Sequence, residues 1–246
     1  MGQIRRRRLL QTATLAGITA IAGCLSNDNG IEEQEFPSFP DPVTAESALA
    51  FTEDYESATY HNSFIDGDYD EVNVGCSGVL AGESTGGYVV FTECGGATYR
   101  NDEVGDWFDV GTTFLVSDDN YNRATEFEVH NPDPFHTGEE PSGGGLGFEV
   151  VNFNDEAIEI DIEVVLDAAD GHETIFETAQ SVDAHGRHSF RGVTEVEEEY
   201  TTYFEPTDKE SVSVEWTFED RDWRQNHGMF ILPDGTVDTL TFPDPD

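Results

Sequence analysis

From residue 146 onward, apolar and polar side chains alternate with a period of two. Leu146, Phe148 and Val150 form one run. Ile158, Ile160, Ile162, Val164 and Leu166 alternate with Glu159, Asp161 and Glu163, and Val212, Val214, Trp216 and Phe218 alternate with Ser213, Glu215 and Thr217. Successive side chains of a strand point to opposite faces, so each run predicts a strand with one apolar and one acidic face. Asp170-Gly171 and Pro233-Asp234-Gly235 supply turn chemistry between runs. About seven short strands in ~100 residues predict an immunoglobulin-like β-sandwich over 146–246. Tyr200, at the head of a strand, suits the tyrosine corner of that fold. No cysteine lies in this half, so it lacks the inter-sheet disulfide of antibody domains.

Upstream, the period changes. Ala48, Phe51, Thr52, Tyr55, Ala58, Thr59 and Asn62 recur at three- and four-residue spacing after Pro42 and the N-capping side chain of Thr44. This predicts a helix over about 44–63, whose aromatic-rich stripe needs a sheet to cover it. Strand-like runs follow at 71–81, 87–96, near 108–117 and near 122–130. Residues 43–130 are therefore expected to form an α+β module, a long helix on an antiparallel sheet. Residues 131–145, NPDPFHTGEEPSGGG, break every periodicity and read as the linker to the sandwich. The predicted fold class is mainly β.

The hairpin at 71–96 carries a geometric expectation about two of the three cysteines. If its turn centres on residue 85, Cys76 faces Cys94 and Leu80 faces Val90, and period-two alternation puts them on one face with Val72 and Val74. Directly opposed cysteines suit the Cβ spacing of a disulfide in an oxidising compartment. The alternative is two buried free thiols.

The third cysteine, Cys24, closes an N-terminal segment of another kind. Residues 1–23 hold no acidic residue, and Arg5 to Arg8 run directly into the apolar stretch Leu9–Gly23. An apolar region of about 15 residues falls short of the ~20 that span a bilayer, so residues 1–23 read as a signal peptide. Arg6-Arg7-Arg8-Leu9-Leu10 resembles the twin-arginine export signal, and Ile21-Ala22-Gly23-Cys24 resembles the lipobox of prokaryotic lipoproteins, with Cys24 accepting the lipid. Stable anchoring takes a two-chain lipid. Residues 24–42, acidic and broken by Pro37, Pro40 and Pro42, read as a disordered tether.

Charge changes the picture of the solvent. Beyond residue 23, 52 acidic side chains face only seven basic ones, a net charge of −45, and Lys209 is the only lysine. Such self-repulsion works against a compact state in dilute salt, whereas molar salt shortens the Debye length to ~3 Å. Aromatic content of 11% argues against an acidic disordered chain, so the composition points to a halophile. Nucleic acid is excluded as a partner, since its phosphates need basic contacts that this chain lacks. Gly87-Tyr88-Val89-Val90-Phe91-Thr92-Glu93-Cys94 and Val151-Asn152-Phe153-Asn154-Asp155-Glu156 resemble segments of secreted haloarchaeal lipoproteins. The likeness is one of pattern over most of 43–246. It implies export and anchoring but no activity.

Candidate chemistry is sparse. A blue-copper site needs a cysteine close to a histidine, yet the first histidine after Cys94 is His130 and Cys76 has only His61 upstream. His185 and His188 flank Gly186-Arg187 and could share a metal, but no third ligand is dictated, and solvated loop histidines are the simpler reading. Asp66, Asp68 and Asp70 begin like a calcium loop. Glu71 then stands where an EF-hand needs glycine, and Ser77 where it needs glutamate. Arg221-Asp222-Trp223-Arg224 concentrates cation and aromatic and reads as a salt-bridged strand end. No catalytic motif, metal site or cofactor is assigned. The expected function is a lipid-anchored, non-enzymatic binding, adhesion or envelope protein on the outer face of the membrane. The alternative is a ligand- or metal-capturing lipoprotein using a pocket in the α+β module.

Overall fold

Helix α1 (Ala45–Ser63) starts where its capping chemistry dictates. The Thr44 hydroxyl accepts from the Ser47 amide, and the Ser47 hydroxyl accepts from the Thr44 amide, a reciprocal capping box. Ala48 and Phe51 from its buried stripe pack on Val90, Phe114 and Val116. The computed structural model describes residues 31–101, 103–109, 111–130, 146–168, 171–194, 198–217 and 227–241. The expected signal peptide, Cys24, the linker 131–145 and the 221–224 cluster lie outside them.

The described part of the expected tether differs from the prediction. Residues 31–42 contain neither helix nor strand, but they lie along α1. The Gln34 amide donates to Asn62 Oδ1 and Asn62 Nδ2 donates back to the Gln34 carbonyl, at 2.8 and 2.9 Å. Phe36 packs tilted against Tyr55, Phe39 meets Phe51 edge-on, and Ile31 is buried. The apolar groups carried by the segment bind it to the helix despite its acidic composition.

Fourteen strands follow among the described residues: β1 (Glu71–Ser84), β2 (Gly87–Arg100), β3 (Glu103–Phe108), β4 (Thr112–Val116), β5 (Tyr121–Ala124), β6 (Glu126–His130), β7 (Leu146–Asn152), β8 (Ile158–Ala168), β9 (Gly171–Val182), β10 (Gly186–Thr194), β11 (Glu199–Pro206), β12 (Val212–Thr217), β13 (His227–Ile231) and β14 (Val237–Thr241). The fold is mainly β. The first sheet runs β1-β2-β4-β5 with β3 also on β2; the second runs β14-β13-β7-β10-β6; the third runs β12-β11-β8-β9.

In the first hairpin Cys76 pairs with Cys94 and Leu80 with Val90, the expected register, until a bulge between Leu80 and Gly82 shifts it by one. Cys76 and Cys94 are joined by a disulfide with Cα atoms 4.1 Å apart. Replacing both by serine is expected to lower stability by about 3 kcal/mol on the chain-entropy model, read as the shift of a urea midpoint in molar salt.

Period-two alternation builds a four-layer stack. Val90, Phe114 and Val116 face α1, while their neighbours Val89 and Leu115 face Val151 and Phe230 of the second sheet. On the opposite face of that sheet Phe148, Val150, Phe190, Met229 and Ile231 pack on Ile160, Ile162, Val164, Phe204 and Val214 of the third. Strands β4 and β13 are buried at every position because both of their faces are covered.

The division at 131–145 is correspondingly less clean than predicted. The run near 122–130 splits at Thr125, and β6 leaves the first sheet to pair in parallel with β10. The apolar outer face of the second sheet binds the first sheet where a solvated acidic face was expected.

Candidate metal centre

The exchange of β6 assembles a group of side chains that no local motif announces. Glu128 and His130 are two residues apart on β6 and so project from one face. In the parallel register Glu128 pairs with His188 and His130 with Phe190, which places His188 beside both. That face is the one turned toward the third sheet, since His188 and Phe190 pair with the core residues Val150 and Phe148 on the other side of β10.

His130 Nε2 lies 3.1 Å from His188 Nδ1. Glu128 Oε2 lies 3.8 Å from His130 Nε2 and 3.8 Å from His188 Nε2. One ligand atom from each residue falls within 4.8 Å of the others. Exposure is graded: the side chains are 7% exposed at His188, 26% at His130 and 67% at Glu128. The His130 ring stacks on Phe190 at 4.7 Å, and Phe190 stacks on Phe148 at 4.5 Å, so the imidazole continues the aromatic core outward. Burial pushes the His188 pKa below its ordinary value, and the neighbouring His130 adds to this against the opposing pull of Glu128 and Asp183. The imidazole is thereby kept neutral with its lone pair available.

The other candidates separate. His185, in the turn before β10 with φ 56°, directs Nε2 to Asp155 Oδ1 at 3.1 Å, so it and His188 find different partners. His61 meets the Glu32 carbonyl and His172 pairs with Asp167. Asp68 is paired with Arg100, and Asp70 accepts from the Asn101 amide, so two members of the aspartate triplet serve the end of the β2–β3 hairpin.

Two enclosed ion pairs sit between layers. Arg187, on the other face of β10, donates to Thr113 Oγ1 at 3.1 Å, has Phe127 4.2 Å beneath its guanidinium and lies 3.9 Å from Glu149. Burial pushes the Glu149 carboxyl up, opposed by Arg187. Arg123 on β5 reaches the fully buried Glu56 of α1. The Glu56–Arg123 pair joins α1 to the first sheet, whereas Arg187 and Glu149 both belong to the second sheet and Arg187 reaches the first through Thr113. Glu128 differs in standing beside two imidazoles with its side chain largely exposed.

The histidine cluster was not legible from spacing because His130 and His188 are 58 residues apart. The available signal was Glu128-x-His130 within a strand run, which predicts a carboxylate and an imidazole on one face. No protein-family model matches the chain, and none of the curated proteins matches it.

Proposed function

We propose that this is a lipid-anchored protein of a halophile, exported by the twin-arginine route, held on the outer face of the cell membrane by Cys24, and working by binding without catalysis. The observation that carries the reading is the Cys76–Cys94 disulfide. A disulfide belongs to oxidising compartments, and this one takes two of the three cysteines, leaving Cys24 as the thiol at the lipobox. The resemblance to haloarchaeal lipoproteins is consistent with that compartment.

The immunoglobulin-like assignment belongs to the same proposal, and the strand order supports it. Strands β7 and β10 pair in one sheet while β9-β8-β11-β12 form the other, which is the placement of strands B and E against C′, C, F and G. Tyr200 then sits at the start of strand F, and its hydroxyl meets Thr194 Oγ1 at 2.9 Å across the E–F corner. Such sandwiches serve as binding scaffolds on cell surfaces, but fold alone assigns no ligand. The Glu128, His130 and His188 cluster favours the second reading, capture of a ligand, at the edge of the sandwich instead of in the α+β module.

Mass spectrometry of membrane-extracted protein is expected to find a lipid-modified Cys24 as N-terminus, and Cys24→Ala is expected to release most of the protein to the medium. An unmodified chain that starts elsewhere and stays membrane-bound would overturn the anchoring.

A further inference from the structure

We propose that Glu128, His130 and His188 hold a divalent transition-metal ion of the zinc class, with a coordination position left open toward solvent. This deepens the capture reading and rests on it.

The spacing carries the inference. Zinc binds imidazole nitrogen at about 2.0–2.1 Å, so ligand atoms at the corners of a tetrahedron stand about 3.3 Å apart. From His130 Nε2 the separations of 3.1 Å to His188 Nδ1 and 3.8 Å to Glu128 Oε2 bracket that edge, and one ligand atom from each residue lies within 4.8 Å of the others, so side-chain rotation closes the set around an ion. All three arise from paired strands, whose backbone hydrogen bonds fix the origins of the side chains. The stacked Phe190 ring limits tilting of His130. In the metal-free protein the two facing nitrogens share a hydrogen bond, which requires a proton on one of them. A metal ion takes the place of that proton, which moves through solvent to the other nitrogen of the same ring, so both ligands stay neutral imidazoles.

The donor set selects the ion. Two imidazoles and one carboxylate suit zinc, cobalt, nickel or copper, whereas calcium takes six to eight oxygens and magnesium keeps an oxygen octahedron. Three protein ligands leave at least one position unfilled, as in zinc sites that bind an exogenous group. The burial gradient gives that position a direction, because His188 closes the inner side and Glu128 lies at the rim. The remaining carboxylates attract cations weakly and without selectivity, and molar salt screens them.

The test uses the full mature chain in molar sodium chloride near pH 7.5, after chelator treatment, with zinc titrated by competition against a chromophoric chelator. One zinc ion per chain is expected, with calcium unable to displace it, and cobalt should give the visible bands of a four-coordinate site. Glu128→Gln should weaken zinc at least tenfold and His130→Gln at least a hundredfold. His172→Gln, at an exposed pair elsewhere, should leave binding unchanged. Glu128 is at the surface, so that variant keeps the fold, and circular dichroism checks each protein. Absence of stoichiometric zinc binding, or equal binding by Glu128→Gln and His130→Gln, overturns the site while leaving anchored binding standing. A bound zinc on a chain without lipid at Cys24 would keep the site and remove the anchor.

Discussion

Replacing Arg123 by alanine is expected to destabilise the fold by about 3–5 kcal/mol, because it leaves a buried carboxylate without its counter-charge. Glu56, on the buried side of α1, has no exposed surface, and Arg123 donates to its Oε1 from Nε at 2.9 Å and Nη2 at 2.6 Å. Glu56 Oε2 has no hydrogen-bond partner. The guanidinium also lies 5.2 Å over Tyr55 and 5.6 Å from the centre of Phe114, so its removal disturbs packing as well as charge. Burial already holds the Glu56 carboxyl above its ordinary range, against the opposing pull of Arg123. The deficit in Arg123→Ala should therefore shrink as pH falls and the carboxyl takes up a proton. Urea unfolding in molar salt reads both effects, and the double variant Glu56→Leu/Arg123→Met should recover most of the loss. A loss below about 1 kcal/mol that does not change with pH would show that the pair is not the clamp between helix and sheet.

His227 should dominate one part of the acid limb. It is 1% exposed, Nε2 lies 3.0 Å from Thr202 Oγ1, and its ring lies among Phe148, Phe204 and Trp216. Desolvation pushes its pKa down to about 3. The unfolded chain binds this proton near pH 6.5 and the folded chain only near pH 3. The stability it contributes is thus fully present above the unfolded value and is lost as pH falls through that window. The slope is about 1.4 kcal/mol per pH unit, and the whole window amounts to about 4–5 kcal/mol. His227→Gln should flatten the dependence of stability on pH between 6 and 4 by about one proton. Superposable acid limbs in the two proteins would assign the proton to other groups.

What could be read from the sequence was what local period and turn chemistry control. The hairpin register followed from alternation about one turn, and the start of α1 from Pro42 and Thr44. Pro233-Asp234-Gly235 forms its turn, with Thr236 donating to Asp234 and Gly235 at φ 82°. The binding of 31–42 to α1 was hidden because acidic residues outweigh Phe36 and Phe39 in any average over the segment. The parallel pairing of β6 with β10, and hence the histidine cluster, depends on contacts between distant stretches that carry no local mark. Charge was an equally incomplete guide. Arg187 and Arg123, two of the few basic residues, are both used between layers.

The loan of β6 bears on how such a chain can evolve. A unit that recombination moves between genes must bring its own edges and faces with it. A gene fragment for 146–246 would arrive with β10 lacking its outer neighbour, an exposed row of backbone donors and acceptors that invites pairing with another copy. It would also arrive with Val151 and Phe230 uncovered. The two halves are therefore bound to a shared lineage, in which a change to either must be tolerated by the other.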